Sequence, residues 1–158
     1  MKTTYYSDQS MNDGIKNYQG IIFDVLIDKA DTIRIMRSPF RRLPLFWRMY
    51  GTDSDSDFVR SFNFIKPFMT KEEKIDENSY QYFKLSAEIK TYLSEFRDNF
   101  FSLIQLDKSK HFYAYSDFTL FSGDTFIVGQ ENSSGILLHL VQEQKDILTV
   151  KGINLEII

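Results

Sequence analysis

Between Tyr82 and Ile104 the residues Tyr82, Leu85, Ile89, Tyr92, Leu93, Phe96, Phe100, Leu103 and Ile104 recur mostly at spacings of three and four. That is the period of a helix with one apolar stripe. The other side carries Lys84, Glu88, Glu95 and Asp98, so the segment is expected to be an amphipathic helix lying against a sheet. From Ser79 to Leu106 it would be about 40 Å long at ~1.5 Å per residue, comparable to the diameter of a domain of this size. The rest of the chain would pack around it.

Most of that remainder reads as strands. Gln19 to Ile27 and Thr32 to Arg37 are rich in β-branched residues, and Ile33 and Ile35 alternate with Arg34 and Met36. The pair is expected to form a hairpin with one solvated side. Two prolines confine any helix in Ser38 to Gly51 to a short piece between Pro44 and Gly51. The acidic loop Asp53 to Asp57 follows, and Phe62 and Phe64 alternate with Ser61 and Asn63 in a strand expected from Phe58 to Phe68. Thr70-Lys-Glu-Glu73 has the form of a capping box that starts a helical turn.

Beyond the long helix, strands are expected at His111 to Tyr115, Leu120 to Phe121, Thr125 to Val128, Ile136 to Gln142, Ile147 to Lys151 and Leu155 to Ile158. Turn residues separate them, at Ser122 to Asp124, Gly129 to Gly135, Gln144 to Asp146 and Gly152. Strands on both sides of one helix, without a strand-helix rhythm, predict an α+β fold over residues 1–158. It would be a single domain, a largely antiparallel sheet packed against one long amphipathic helix. An edge at Leu155 to Ile158 would admit pairing with a second copy as a homodimer.

The chain of 158 residues carries a formal charge of −3, with 16% aromatic residues, two His and no Cys. The absence of Cys excludes disulfides and thiolate chemistry and suits a reducing compartment. No apolar run approaches the ~20 residues a membrane helix needs, so a cytoplasmic protein without a membrane partner is expected. Arg37, Arg41, Arg42 and Arg48 interleave with Phe40, Phe46, Trp47 and Tyr50, a mixture that suits phosphates and bases. Neither half of the chain has a basic excess, however, which argues against nucleic acid as the partner.

Catalytic material is sparse. Asp53-Ser-Asp-Ser-Asp57 lacks the Gly and bidentate Glu that close an EF-hand, where Phe58 and Phe64 stand instead. Ser133-Ser-Gly135 lacks the preceding glycine of a nucleophile elbow, and no glycine-rich phosphate loop exists. His111 and His139 are the only near-neutral acid or base groups. No catalytic residue, metal or cofactor is therefore expected. A binding surface remains: Asp53, Asp55, Asp57, Glu72, Glu73, Asp76 and Glu77 flank the strand expected at Phe58 to Phe68, with Tyr80, Tyr82 and Trp47 as aromatic anchors. Brought together, they would steer a basic protein and hold it by a few hot spots.

An acidic, cysteine-free chain, rich in aromatics and poor in catalytic groups, resembles the bacterial immunity proteins that neutralise toxins such as those of contact-dependent growth inhibition. The resemblance is one of composition over the whole chain. It implies a stoichiometric, non-enzymatic inhibitor of a cognate toxin domain, often a basic nuclease. The leading alternative is a different interaction protein, such as a secretion chaperone or a phage accessory domain, distinguished by whether its partner is a toxin. A small hydrolase using His111 or His139, and an RNA-binding domain, are the readings from other classes.

Overall fold

The computed structural model describes residues 1–39, 64–107, 113–132 and 135–158. In chain order these form β1 (Lys2–Asp8), α1 (Tyr18–Leu26), β2 (Thr32–Pro39), β3 (Met69–Ile75), β4 (Asn78–Lys84), α2 (Ala87–Leu93), β5 (Gln105–Asp107), β6 (Tyr113–Ser122), β7 (Thr125–Asn132), β8 (Gly135–Val141), α3 (Gln142–Val150) and β9 (Glu156–Ile157). Short 3-10 segments occupy Ile27–Lys29, Lys66–Phe68 and Ser94–Ser102. The strands make one sheet in the order β3-β4-β2-β6-β7-β8-β1-β9, with β5 beside β6. Every pairing is antiparallel.

The α+β class and the antiparallel sheet agree with the sequence, whereas the single long helix does not form. Its expected span divides into β4, α2, the 3-10 segment Ser94–Ser102 and β5. A two-residue period wins at its start. Ser79, Gln81 and Phe83 are buried while Tyr80 and Tyr82 face the other way, and pairing with both β2 and β3 satisfies the backbone. Ser86 then caps α2, its hydroxyl accepting the Ile89 N–H at 3.2 Å, and Asn99 kinks the 3-10 segment at φ −137°.

Other expectations also change. Gln19 to Ile27 is helical, because Ile22, Phe23 and Leu26 at helical spacing reach the core. The supposed capping box at Thr70 to Glu73 lies inside β3, which closes a hairpin on β4 through Asp76 and Glu77, with Asp76 in the left-handed region at φ 56°. Phe64 and Ile65 are helical and precede the 3-10 turn around Pro67, while residues 58–63 lie outside the described residues. Ile147 to Lys151 falls largely in α3, where the side-chain oxygen of Gln144 accepts the Val141 N–H at 3.0 Å. Leu120 and Phe121 belong to one ten-residue strand, β6.

The sheet has an inner face, packed under the helices, and an outer face. Ile33, Ile35, Phe83, Phe118, Leu120, Val128, Ile136, Leu138 and Leu140 point inward and join Ile22, Phe23, Leu26, Ile89, Leu93, Phe100, Phe101 and Leu148 in one core. Phe100 is its hub, with ring centroids 4.8 Å from Phe23, 5.2 Å from Phe101 and 5.6 Å from Phe118. Gln19 ties the layers: its Oε1 accepts the buried Phe101 N–H at 2.9 Å and its Nε2 donates to Ser102 Oγ at 3.1 Å. Over Gly20 lie the ends of the Asp98 and Arg97 side chains, and Arg97 also pairs with Asp24 of α1, which ties the helix to the 3-10 segment. Among the described residues no helix is long and apolar enough to cross a membrane.

Candidate functional site

Alternation along β2 sends Arg34 and Met36 to the outer face, and the same rule places Tyr80 and Tyr82 of β4 beside them. In β6 the alternation slips. Arg34 pairs with Thr119 but Met36 pairs with Ser116, so Asp117 and Phe118 together oppose Ile35. This bulge turns Phe118 fully into the core and leaves Asp117 in the left-handed region at φ 54°. Asp117 Oδ2 thereby receives Nη2 of Arg34 at 3.3 Å.

The guanidinium is clamped on both sides. Its carbon lies 5.3 Å from the Tyr80 ring centroid and 5.5 Å from that of Phe121, within the range of cation–π attraction. Nη2 also donates to Thr119 Oγ1 at 3.3 Å, and the Thr119 hydroxyl donates in turn to Asp117 Oδ1 at 3.2 Å. Gly129 of β7 makes room for this arrangement, since a Cβ there would stand 2.7 Å from Thr119 Oγ1.

Rings continue across the face. Tyr82 and Phe121 are 5.9 Å apart and Phe121 and Phe126 6.1 Å apart, while Lys71 Nζ lies 5.0 Å from the Tyr82 centroid. Lys71 also pairs with Glu73 at 2.9 Å. That contact holds the Glu73 carboxyl below, and the Lys71 ammonium above, their ordinary ranges. A cleft of about 320 Å³ opens here, lined by Thr32, Thr70, Lys71, Tyr82, Phe121, Gly123 and Asp124. One wall is fixed by Asp31, which accepts the Gly123 N–H with both oxygens, at 2.9 and 3.1 Å. This contact keeps the Asp31 carboxyl low.

Of the surface read from the sequence, Glu73, Tyr80 and Tyr82 meet on this outer face. Glu72 projects to the other face, where its carboxylate receives the Ser79 hydroxyl and the Gln81 amide, the latter at 3.0 Å. Those bonds, the Ser79 one foremost, lower its pKa, with a smaller contribution from Lys74 and Arg37. Asp76 and Glu77 form the β3–β4 turn and line a second cleft of about 320 Å³ with Arg37, Lys74 and Tyr113. Trp47, Asp53, Asp55, Asp57 and His111 lie outside the described residues.

His139 sits on the outer face of β8 with Nδ1 3.1 Å from the Thr4 hydroxyl. Among the described residues no group of three or more His, Asp or Glu is arranged to hold a metal. Sequence reasoning passed over Arg34, Asp117, Phe121 and Phe126 as site residues. The bulge that places them shows only in the structure, where the inward Tyr115 and Phe118 stand three apart in one strand around the inserted Asp117.

Comparison of the chain with protein-family models, with curated proteins and with solved structures finds no match.

Proposed function

We propose that this chain is a protein-binding domain of the immunity kind, neutralising a cognate toxin domain, a nuclease in the simplest case, by stoichiometric occlusion, and that the partner docks on the outer sheet face. The observation that carries the reading is the ridge of Tyr80, Tyr82, Phe121 and Phe126 around Arg34, half-buried on a face over which no described helix packs. Aromatic and arginine side chains of this type dominate binding hot spots. The toxin as partner rests on the compositional resemblance. Glu73, Asp76 and Glu77 would then lie at the rim, where charge influences association rate more than affinity.

Titration calorimetry against the C-terminal domain of the protein encoded immediately upstream tests both parts. Nanomolar one-to-one binding that abolishes that domain's toxicity is the expected result. Tyr82→Ala should weaken it by about 2 kcal/mol or roughly thirtyfold, the size of a hot-spot loss. Absence of binding removes the immunity reading, and full affinity in Tyr82→Ala moves the interface off this face.

A further inference from the structure

A guanidinium carries five N–H donors, and those of Arg34 are only partly used. Nη2 reaches Asp117 and Thr119 at 3.3 Å each, longer than the ~2.7–2.9 Å of a strong charge-assisted bond. Nε is buried without an acceptor, and no described residue accepts from Nη1. The side chain nonetheless remains 24% exposed. A bulge, a left-handed Asp117 and two aromatic rings hold in place a group whose donors are left over, and backbone strain of this kind tends to accompany function.

The charges around it cancel locally. Arg34 stands against Asp117 and Lys71 against Glu73. A partner carboxylate here would add negative charge beside Asp117, Glu73 and Asp124. A partner ammonium would meet two cations already stacked on the rings. What fits is an acceptor oxygen without net charge, next to apolar surface.

We infer that the outer face receives an uncharged segment of a protein partner: an amide carbonyl meets the unpaired terminal N–H groups of Arg34, and an apolar side chain lies against the rings of Tyr82 and Phe121 at the edge of the cleft. The inference rests on the protein-binding reading above, though not on the partner being a toxin. It specifies the docking contact as an apolar one rather than one made by steered charge.

The test uses the full chain and small probes that carry both features. Labelled protein is titrated with N-acetyl-leucinamide and N-acetyl-tryptophanamide, and with the corresponding glutamate and lysine derivatives, while backbone amide shifts are followed by NMR. The uncharged probes should shift β2, β4 and β6 around Arg34 and bind more tightly than either charged one. Arg34→Met should weaken them about tenfold, the loss of a hydrogen bond to a charged group. Tyr82→Ser, which leaves Arg34 and Asp117 in place, should weaken the leucine and tryptophan probes if Arg34→Met perturbs the fold. Shifts elsewhere or none at all, tighter binding of a charged probe, or indifference to both substitutions would overturn the inference. Bound probes with no affinity for the upstream toxin domain would remove immunity and leave this contact standing. Toxin binding without probe shifts would do the reverse.

Discussion

Gln19→Leu is the substitution that best isolates how the helical layer is fastened over the sheet. Gln19 is buried, and its Oε1 is the acceptor for the buried Phe101 N–H at 2.9 Å. Leucine keeps the approximate volume but leaves that N–H unpaired, which costs about 1–3 kcal/mol. Its extra apolar burial returns up to about 1 kcal/mol, so a net loss of about 1–2 kcal/mol is expected. With unfolding entropy of ~2.1 cal/mol/K per residue over this chain length, the melting temperature should fall by about 3–6 °C. Ser102→Ala removes the partner of Gln19 Nε2 and a 3.3 Å bond to the Asn99 carbonyl, but leaves the Phe101 N–H paired, and Ser102 is half-buried rather than buried. It should cost less than about 1 kcal/mol. Calorimetry and urea unfolding at constant m would measure both. A Gln19→Leu protein as stable as the original, or a Ser102→Ala protein equally destabilised, would refute the assignment of the cost to the Phe101 N–H.

Phe100→Ala should be more damaging, about 3–5 kcal/mol by urea unfolding, because it empties the hub between Phe23, Phe101 and Phe118. Gly129→Val should cost about 1–3 kcal/mol, since its Cβ would press on Thr119, which is 1% exposed and cannot withdraw; NMR should show the Arg34 surroundings disturbed. Ser86→Ala should lose about 1 kcal/mol through the cap on α2. Glu72, held below its ordinary value of 4.5, binds fewer protons folded than unfolded. Its contribution is present above pH 4.5 and is lost as pH falls through the folded pKa. Glu72→Gln should therefore flatten the acid side of the stability profile measured by denaturant unfolding.

How far the fold could be read depended on which period had no competitor. Ile33 and Ile35 against Arg34 and Met36 gave an unambiguous strand, and β2 forms there with the expected faces. Between Tyr80 and Leu85 two periods overlapped. Tyr82 and Leu85 fit a helical stripe, while Tyr80 and Tyr82 alternating with Gln81 and Phe83 fit a strand, and only pairing with β2 and β3 selects the second. Gln19 to Ile27 shows the converse, β-branched residues drawn into a helix because Ile22, Phe23 and Leu26 bury more completely that way. Of the candidate site, Tyr80, Tyr82 and Glu73 were legible as neighbours in sequence. Arg34 and Phe121 were not, since they reach those residues across strands distant in the chain.

Residue types alone determined that this protein has abundant core material and an α+β mixture of elements. Those properties follow from composition and local period. Tertiary structure decided which face of the sheet the helices cover, where the bulge at Asp117 falls, and which charges cancel. Glu72 and Glu73, adjacent in sequence, illustrate why: the pleat sends them to opposite faces, one to Ser79 and Gln81 and the other to Lys71. Strand order then sets the surroundings of each face, and that order depends on long-range pairing energies that no local segment encodes.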